Sequence, residues 1–146
     1  MKKSTRSSAR SDGSSQAAVP GLIVCLVAMG IAALGFLLPY QRSESFLSLS
    51  VGNSSSLYLA GSLLITLAAP LAILVASIVA LTSANARIKC TPIALGASIT
   101  WAGFVIGLAL IRLGGVGKGL GFYVLPLCAA AAVVGSALAT VRLESV

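Results

Sequence analysis

The chain has 146 residues, of which 58% are hydrophobic and only 9% are charged, and its mean hydropathy is +1.04. Water-soluble domains carry about a quarter charged residues, so this composition excludes a soluble globular fold. The net charge of +7 is spread over segments that flank different apolar runs, and we therefore expect no nucleic-acid binding.

The first 19 residues are polar and basic. The segment MKKSTRSSARSDGSSQ has almost no apolar side chains, so it cannot bury enough surface to offset the entropy lost on folding. We predict a disordered cytoplasmic tail over residues 1–19 that serves as an orientation signal. Adhesion to anionic lipid headgroups is the functional alternative.

Four continuous apolar runs follow the tail. A bilayer core about 30 Å thick requires roughly 20 apolar residues per helix, and the runs cover about residues 20–39, 57–82, 93–111 and 121–141. None contains a charged residue or alternates as a membrane β-strand does. We predict an all-α fold, with a four-helix transmembrane domain over residues 20–146. The first run could be a cleaved export signal, but it is longer than the usual apolar core of about 7–15 residues.

The longest connection joins the first and second runs. Leu47, Leu49 and Val51 alternate with serines, which predicts a short extended segment with one apolar face. A partner-docking edge is possible on this pattern, but we favour a loop that dips into the membrane interface.

The second run contains a proline. Pro70 lies well inside it, and proline removes a backbone N–H from a helix. We therefore expect a kink at this position.

Residues 83–92 form the predicted connection between the second and third runs. They hold Arg87, Lys89 and Cys90. Cys90 could be a palmitoylated or mildly activated thiol, although we favour an unmodified cysteine. Cys25 and Cys128 belong to apolar runs at different depths, so we expect no disulfide between them.

Small residues recur along the third run. Gly96, Thr100, Gly103 and Gly107 are spaced i, i+4, i+7 and i+11 and include a G-x-x-x-G pattern. Helices in lipid associate largely through close backbone packing, so we interpret this stripe as a helix-packing seam. We expect it to pack within the chain, with assembly between chains as the alternative. Related stripes occur at Ala68, Ala72, Ala76 and Ala80 and at Ala131, Gly135 and Ala139.

The stretch LGGVGKGLGF over residues 113–122 has the glycine content of a phosphate-binding loop. A Walker-type loop needs a glycine five positions before its Gly-Lys pair and a hydroxyl residue after it. Arg112 and Gly119 occupy those positions. We therefore expect no nucleotide binding and interpret the stretch as a flexible connection, with Lys118 in water.

The basic residues predict the orientation. Lys and Arg in short connections concentrate on the cytoplasmic side, and an inward N-terminus places seven inside and three outside. Three tyrosines then fall at the outer boundary, where amphipathic rings are favoured. We predict that both termini are cytoplasmic. The inner set is Lys2, Lys3, Arg6, Arg10, Arg87, Lys89 and Arg142, the outer set is Arg42, Arg112 and Lys118, and the tyrosines are Tyr40, Tyr58 and Tyr123.

Chemistry-bearing residues are scarce. The chain has no histidine, and its three acids are Asp12, Glu44 and Glu144, so no paired carboxylates, Ser-His arrangement or metal cluster can be assembled. We expect no enzyme activity, no catalytic residue, no cofactor and no metal. The lack of acids within the apolar runs also argues against ion-coupled transport.

These observations favour an interaction or assembly component of a bacterial inner (cell) membrane. Its expected partners are the lipid bilayer and copies of itself or a larger membrane complex. The alternative is an oligomeric passive pore or small-solute facilitator. Its polar path would be lined by hydroxyl residues such as Ser62, Thr66, Ser98 and Thr100.

Overall fold

The structure, a computed structural model, describes residues 16–41, 44–45, 64–111 and 117–144. The elements in chain order are α1 (Val19–Leu37), β1 (Pro39–Gln41), β2 (Glu44–Ser45), a π-helix (Leu64–Ala68) that continues into α2 (Ala69–Thr82), α3 (Ala84–Ile111) and α4 (Leu120–Glu144). Four helices are long and apolar enough to cross a membrane, when the π-helix is counted with α2. The prediction of an all-α fold with four helices of membrane-spanning length and hydropathy is confirmed.

Each helix packs against two neighbours. The contacts join α1 to α2, α2 to α3, α3 to α4, and α4 back to α1. The starts of α1 and α3 therefore lie beside the ends of α2 and α4, which we call the Ser83 end. The opposite end, where α1 leads into β1, is the Tyr40 end. The result is an antiparallel four-helix bundle.

The connection between α2 and α3 is a single residue, so the predicted loop over residues 83–92 is wrong. Ser83 is extended, and its Oγ accepts a hydrogen bond of 3.2 Å from the backbone N–H of Ala86. This is N-cap geometry, in which a serine satisfies a free N–H of the first helical turn. The cap starts α3 at Ala84, nine residues before the apolar run begins, so the polar residues form its first turns.

The tightest helix contact joins α1 and α4. A Cβ placed on Gly135 would lie 2.7 Å from the carbonyl oxygen of Gly21, and one on Gly21 would lie 2.9 Å from the backbone nitrogen of Ala139. Further along, a Cβ on Gly35 would lie 3.1 Å from Leu125 Cδ2. These backbones are closer than any larger residue would permit.

On each helix of this pair, one row of buried residues recurs at an alternating spacing of four and three. Such spacing keeps one seam of each helix facing its partner, as in a coiled coil. Along α1 the positions are Gly21, Cys25, Ala28, Ala32 and Gly35, and along α4 they are Gly121, Leu125, Cys128, Ala132, Gly135 and Ala139.

We interpret the π-helix as a consequence of Pro70. Pro70 has no N–H to donate to the carbonyl of Thr66, four residues earlier, and its ring crowds that carbonyl. The turn immediately before Pro70 adopts π geometry. The kink expected at Pro70 stays a prediction, and the feature that the structure shows beside it is a widened turn.

The two connections at the Tyr40 end contact each other. β1 and β2 pair antiparallel, and the backbone N–H of Gly119 donates a hydrogen bond of 3.1 Å to the carbonyl oxygen of Tyr40. A Cβ on Gly119 would overlap the carbonyl of Pro39, and Gly117 has a φ of 81°, a conformation that favours glycine. The glycines therefore allow a close approach and a left-handed turn, and do more than relax the chain.

The tyrosines differ in their surroundings. Tyr40 is buried at one end of the bundle, with its ring centroid 5.4 Å from that of Phe122, and its position at a membrane boundary stays a prediction. Tyr123 is exposed at the same end. Tyr58, residues 1–15 of the tail predicted over residues 1–19, and the predicted extended segment over residues 47–51 lie outside the described residues. At the end of that tail, Ala18 is buried and Val19 begins α1.

Candidate functional site

The small-residue stripe of α3 lies on the outside of the bundle. Gly96, Thr100 and Gly103 are exposed and Gly107 is half-buried. A Cβ on any of the three glycines would meet no atom within 4 Å in the part of the chain that the structure describes. No described residue packs on these glycines, so packing of the stripe within the chain stays an expectation. Its role as a seam between chains stays a prediction.

The stripe forms a shallow groove. Thr100 Oγ1 donates to the carbonyl oxygen of Gly96 at 2.9 Å, so its hydroxyl already has a partner. With 3.6 residues per helical turn, exposed Ile99 and Ile106 lie along one side of the stripe and exposed Ile93 along the other. Ridges beside a row of small residues are the surface that another helix fits in a membrane.

The related stripes on α2 and α4 are used within the bundle to different extents. On α2, Ala76 and Ala80 are buried and Ala72 is exposed, as is Ala68 at the end of the π-helix. On α4, Gly135 and Ala139 are buried against α1. The glycines of α1, which sequence reasoning did not select, complete this contact. Their signal was the seven-residue spacing of Gly21, Ala28 and Gly35.

Arg87 is a structural residue that the sequence analysis placed in a loop. It is only 7% exposed, and its Nε donates to the carbonyl oxygen of Ala80 at 3.1 Å. That carbonyl belongs to the last turn of α2, whose oxygens lack helical partners. Arg87 thus caps α2 from α3, and its charge favourably faces the negative end of that helix.

The three cysteines are free. Cys90 lies on α3, not in a connection, and packs at the Ser83 end beside a small apolar cluster that includes Leu22 and Ala80. Cys25 is buried, and its Sγ donates to the carbonyl oxygen of Ala132 at 3.4 Å. Cys128 is also buried. These positions give Cys25 and Cys128 packing roles between α1 and α4.

An apolar groove of about 350 Å³ opens on the side of the bundle between α1 and α4. None of the described residues that line it carries a charge or a hydroxyl group. The lining residues are Ile23, Val24, Val27, Ala28, Ile31, Val124, Leu127, Cys128 and Ala131.

The hydroxyl residues of the pore alternative do not form a common surface. Thr66 and Ser98 are buried, whereas Thr100 is exposed on the stripe. Ser98 Oγ donates to the carbonyl oxygen of Ala94 at 2.7 Å. Ser62 lies outside the described residues. Three of the four proposed lining residues are therefore divided between the inside and the outside of the bundle.

The remaining polar candidates are separated. Within the described residues, no group of three His, Cys, Asp or Glu side chains could hold a metal ion. Lys118 is exposed, and its Nζ lies 5.3 Å from the centroid of the Phe122 ring, a cation–π distance.

Comparisons with models of known protein families, with curated proteins and with solved structures gave no match.

Proposed function

We propose that this protein is a non-enzymatic assembly component of a bacterial inner membrane, and that the α3 stripe is its contact with a second copy of the chain. The observation that supports this most directly is the open space above Gly96, Gly103 and Gly107. In a membrane, burying such a row gains close backbone packing that large side chains prevent.

The distribution of burial supports the same face. In the most apolar windows of α1 and α4, 44% and 39% of residues are buried, against 28% in those of α2 and α3. The α2–α3 side is therefore the less covered side of the bundle. A second copy that packs on α3 would raise its burial toward that of the other pair.

We further propose that both termini face the cytoplasm. The bundle brings Arg87, Lys89 and Arg142 to the Ser83 end, while Lys118 lies at the Tyr40 end. The basic residues of the N-terminal segment precede α1, which starts at the Ser83 end. The positive-inside rule then favours the Ser83 end on the cytoplasmic side.

The assembly is tested by replacing Gly103 and Gly107 together with Leu. We expect the oligomer fraction of the purified protein in lipid bilayers, counted by single-molecule photobleaching, to fall several-fold. The thermal stability of the monomer should remain close to that of the wild type, because no described residue packs on these glycines. Gly30→Leu is the matched control, since Gly30 is also exposed with open space around it but belongs to α1.

Three results would contradict the proposal. One is an unchanged oligomer fraction in the double variant. Another is a wild-type protein that is monomeric at every protein density in the bilayer. The third is a specific rise in solute permeability of liposomes that contain the purified protein, since that would favour the facilitator function instead.

A further inference from the structure

Among the described residues, three polar atoms are buried inside the bundle without a hydrogen-bond partner. They are Thr66 Oγ1, Ser77 Oγ and Trp101 Nε1, and all three residues are fully buried. Buried polar groups nearly always have a partner in proteins, from the chain or from ordered water. Each exception therefore indicates either a loss of stability or a missing ligand.

The other buried hydroxyls of the bundle behave differently. Thr91, Ser98 and Ser136 each donate to the carbonyl oxygen four residues earlier in the same helix, at 2.7 Å. Such bonds satisfy a hydroxyl within its own helix. Thr66 lies within the π-helix, and its hydroxyl makes no such bond to a carbonyl oxygen of its own helix.

Thr66 and Trp101 lie at the same level of the bundle. They are almost equally far along the chain from Ser83, the one-residue turn between the antiparallel helices α2 and α3. Helices rise by about 1.5 Å per residue, so equal separations from the turn give equal depths. The π-helix also contacts α3 directly. Ser77 lies much nearer the turn and belongs to another level.

The hydrogen-bonding capacities of Thr66 Oγ1 and Trp101 Nε1 suit one small polar molecule. The indole N–H of Trp101 can only donate, whereas the hydroxyl of Thr66 can donate and accept. One face of the Trp101 environment is aromatic, with the Phe36 ring centroid 6.3 Å from that of the indole. A neutral molecule with both an acceptor and a donor would satisfy both side chains.

We propose that a single water molecule binds between Thr66 Oγ1 and Trp101 Nε1, within the outer half of the bundle if the termini are cytoplasmic. A water needs only about 10–15 Å³ of cavity volume and two to four polar partners. The π-turn is a wider and less regular turn than its α counterpart, and such turns recur at functional sites. Thr66 in this turn keeps an unpartnered hydroxyl, whereas Ser98 in a regular turn of α3 donates to the carbonyl oxygen of Ala94.

The test uses the only tryptophan of the chain. In protein labelled with ¹⁵N at the indole nitrogen and held in detergent micelles, one indole N–H signal is expected. We expect a nuclear Overhauser cross-peak between this proton and a long-lived water. Thr66→Val, which keeps the side-chain shape but removes the hydroxyl, should weaken the cross-peak at least several-fold.

Two variants separate this site from a general loss of packing. Thr66→Ser retains the hydroxyl and should keep the cross-peak, and Ser77→Ala removes a buried hydroxyl at another level and should also keep it. The absence of a water cross-peak in the wild type would overturn the proposal. So would equal cross-peaks in the wild type and Thr66→Val, or a cross-peak to the Thr66 hydroxyl proton alone, which would indicate a direct bond.

Discussion

Replacing Gly21 with Ala tests the packing of α1 on α4. A Cβ at this position would overlap the carbonyl oxygen of Gly135 and would lie 2.9 Å from the backbone nitrogen and 3.1 Å from Cβ of Ala139. The nearest atoms belong to the backbone of α4, which cannot rotate away as a flexible side chain would. The two helices must therefore move apart along a seam that depends on short contacts.

The expected change in the free energy of unfolding of Gly21→Ala follows from two opposing effects. Overpacking of a well-packed interior costs about 1–3 kcal/mol. Exchange of a helical glycine for alanine gains about 0.5–1 kcal/mol because alanine loses less backbone entropy. Since the clash involves backbone atoms, we expect the upper part of the first range and a net loss of about 1–2 kcal/mol. Gly30→Ala lies on the same helix with no atom within 4 Å of its Cβ, so it should gain up to about 1 kcal/mol.

The measurement is reversible unfolding in mixed micelles, followed by circular dichroism. We expect Gly21→Ala to unfold at a lower denaturant fraction than the wild type and Gly30→Ala at an equal or higher fraction. Gly135→Ala should resemble Gly21→Ala. The double variant Gly21→Ala/Gly135→Ala should lose less than the sum of the two, because both changes separate the same pair of backbones. Equal stability of Gly21→Ala and Gly30→Ala would refute the reasoning.

Three further predictions use other parts of the bundle. Arg87→Ala should lower the free energy of unfolding by about 1.5–3 kcal/mol, the contribution of a charged hydrogen bond, and in the same micelle assay Arg87→Lys should recover only part of that loss. Pro70→Ala restores a backbone N–H and should convert the π-turn to α-helix, seen as slow hydrogen exchange at the new amide; fast exchange there would contradict the proposed cause. For orientation, in a cysteine-free background, Asn85→Cys should react with an impermeant maleimide only after the cells are permeabilised, and Lys118→Cys should react in intact cells; the reverse pattern would invert the topology.

The helices were predictable because hydropathy depends on residue type and not on tertiary context. The residues at which the helices begin and end were less predictable. The start of α3 differs from the prediction because the apolar pattern begins at Ile93, whereas the residue that caps the helix is Ser83. Its Oγ accepts a hydrogen bond from the backbone N–H of Ala86. A serine followed by helix-forming residues is a usable N-cap signal, and it would have placed Arg87 and Cys90 on the helix. The burial of Arg87 was not predictable, since it depends on where the end of α2 lies.

The direction that a small-residue stripe faces could not be read from spacing alone. Such a row shows that close approach is possible, but several rows compete for one interior. The small-residue rows of α1 and α4 have the same four-three spacing and face each other along much of the helix length. Their contact therefore excludes other helices from that seam. The close approach of α1 and α4 involves Gly21 and Gly135, which are far apart in the sequence.

The outward position of the α3 stripe follows from what the opposite side of the same helix carries. Trp101, Val105 and Ala94 are fully buried, and with 3.6 residues per turn they lie across the helix axis from Gly103. A rotation of α3 that buried the glycines would move the indole from the interior to the outside of the bundle and leave the space beside Phe36 without a large side chain. The bundle gains far more apolar contact from the indole than from a glycine row. Trp101 thus fixes the rotation of α3 and leaves the G-x-x-x-G face available to another chain.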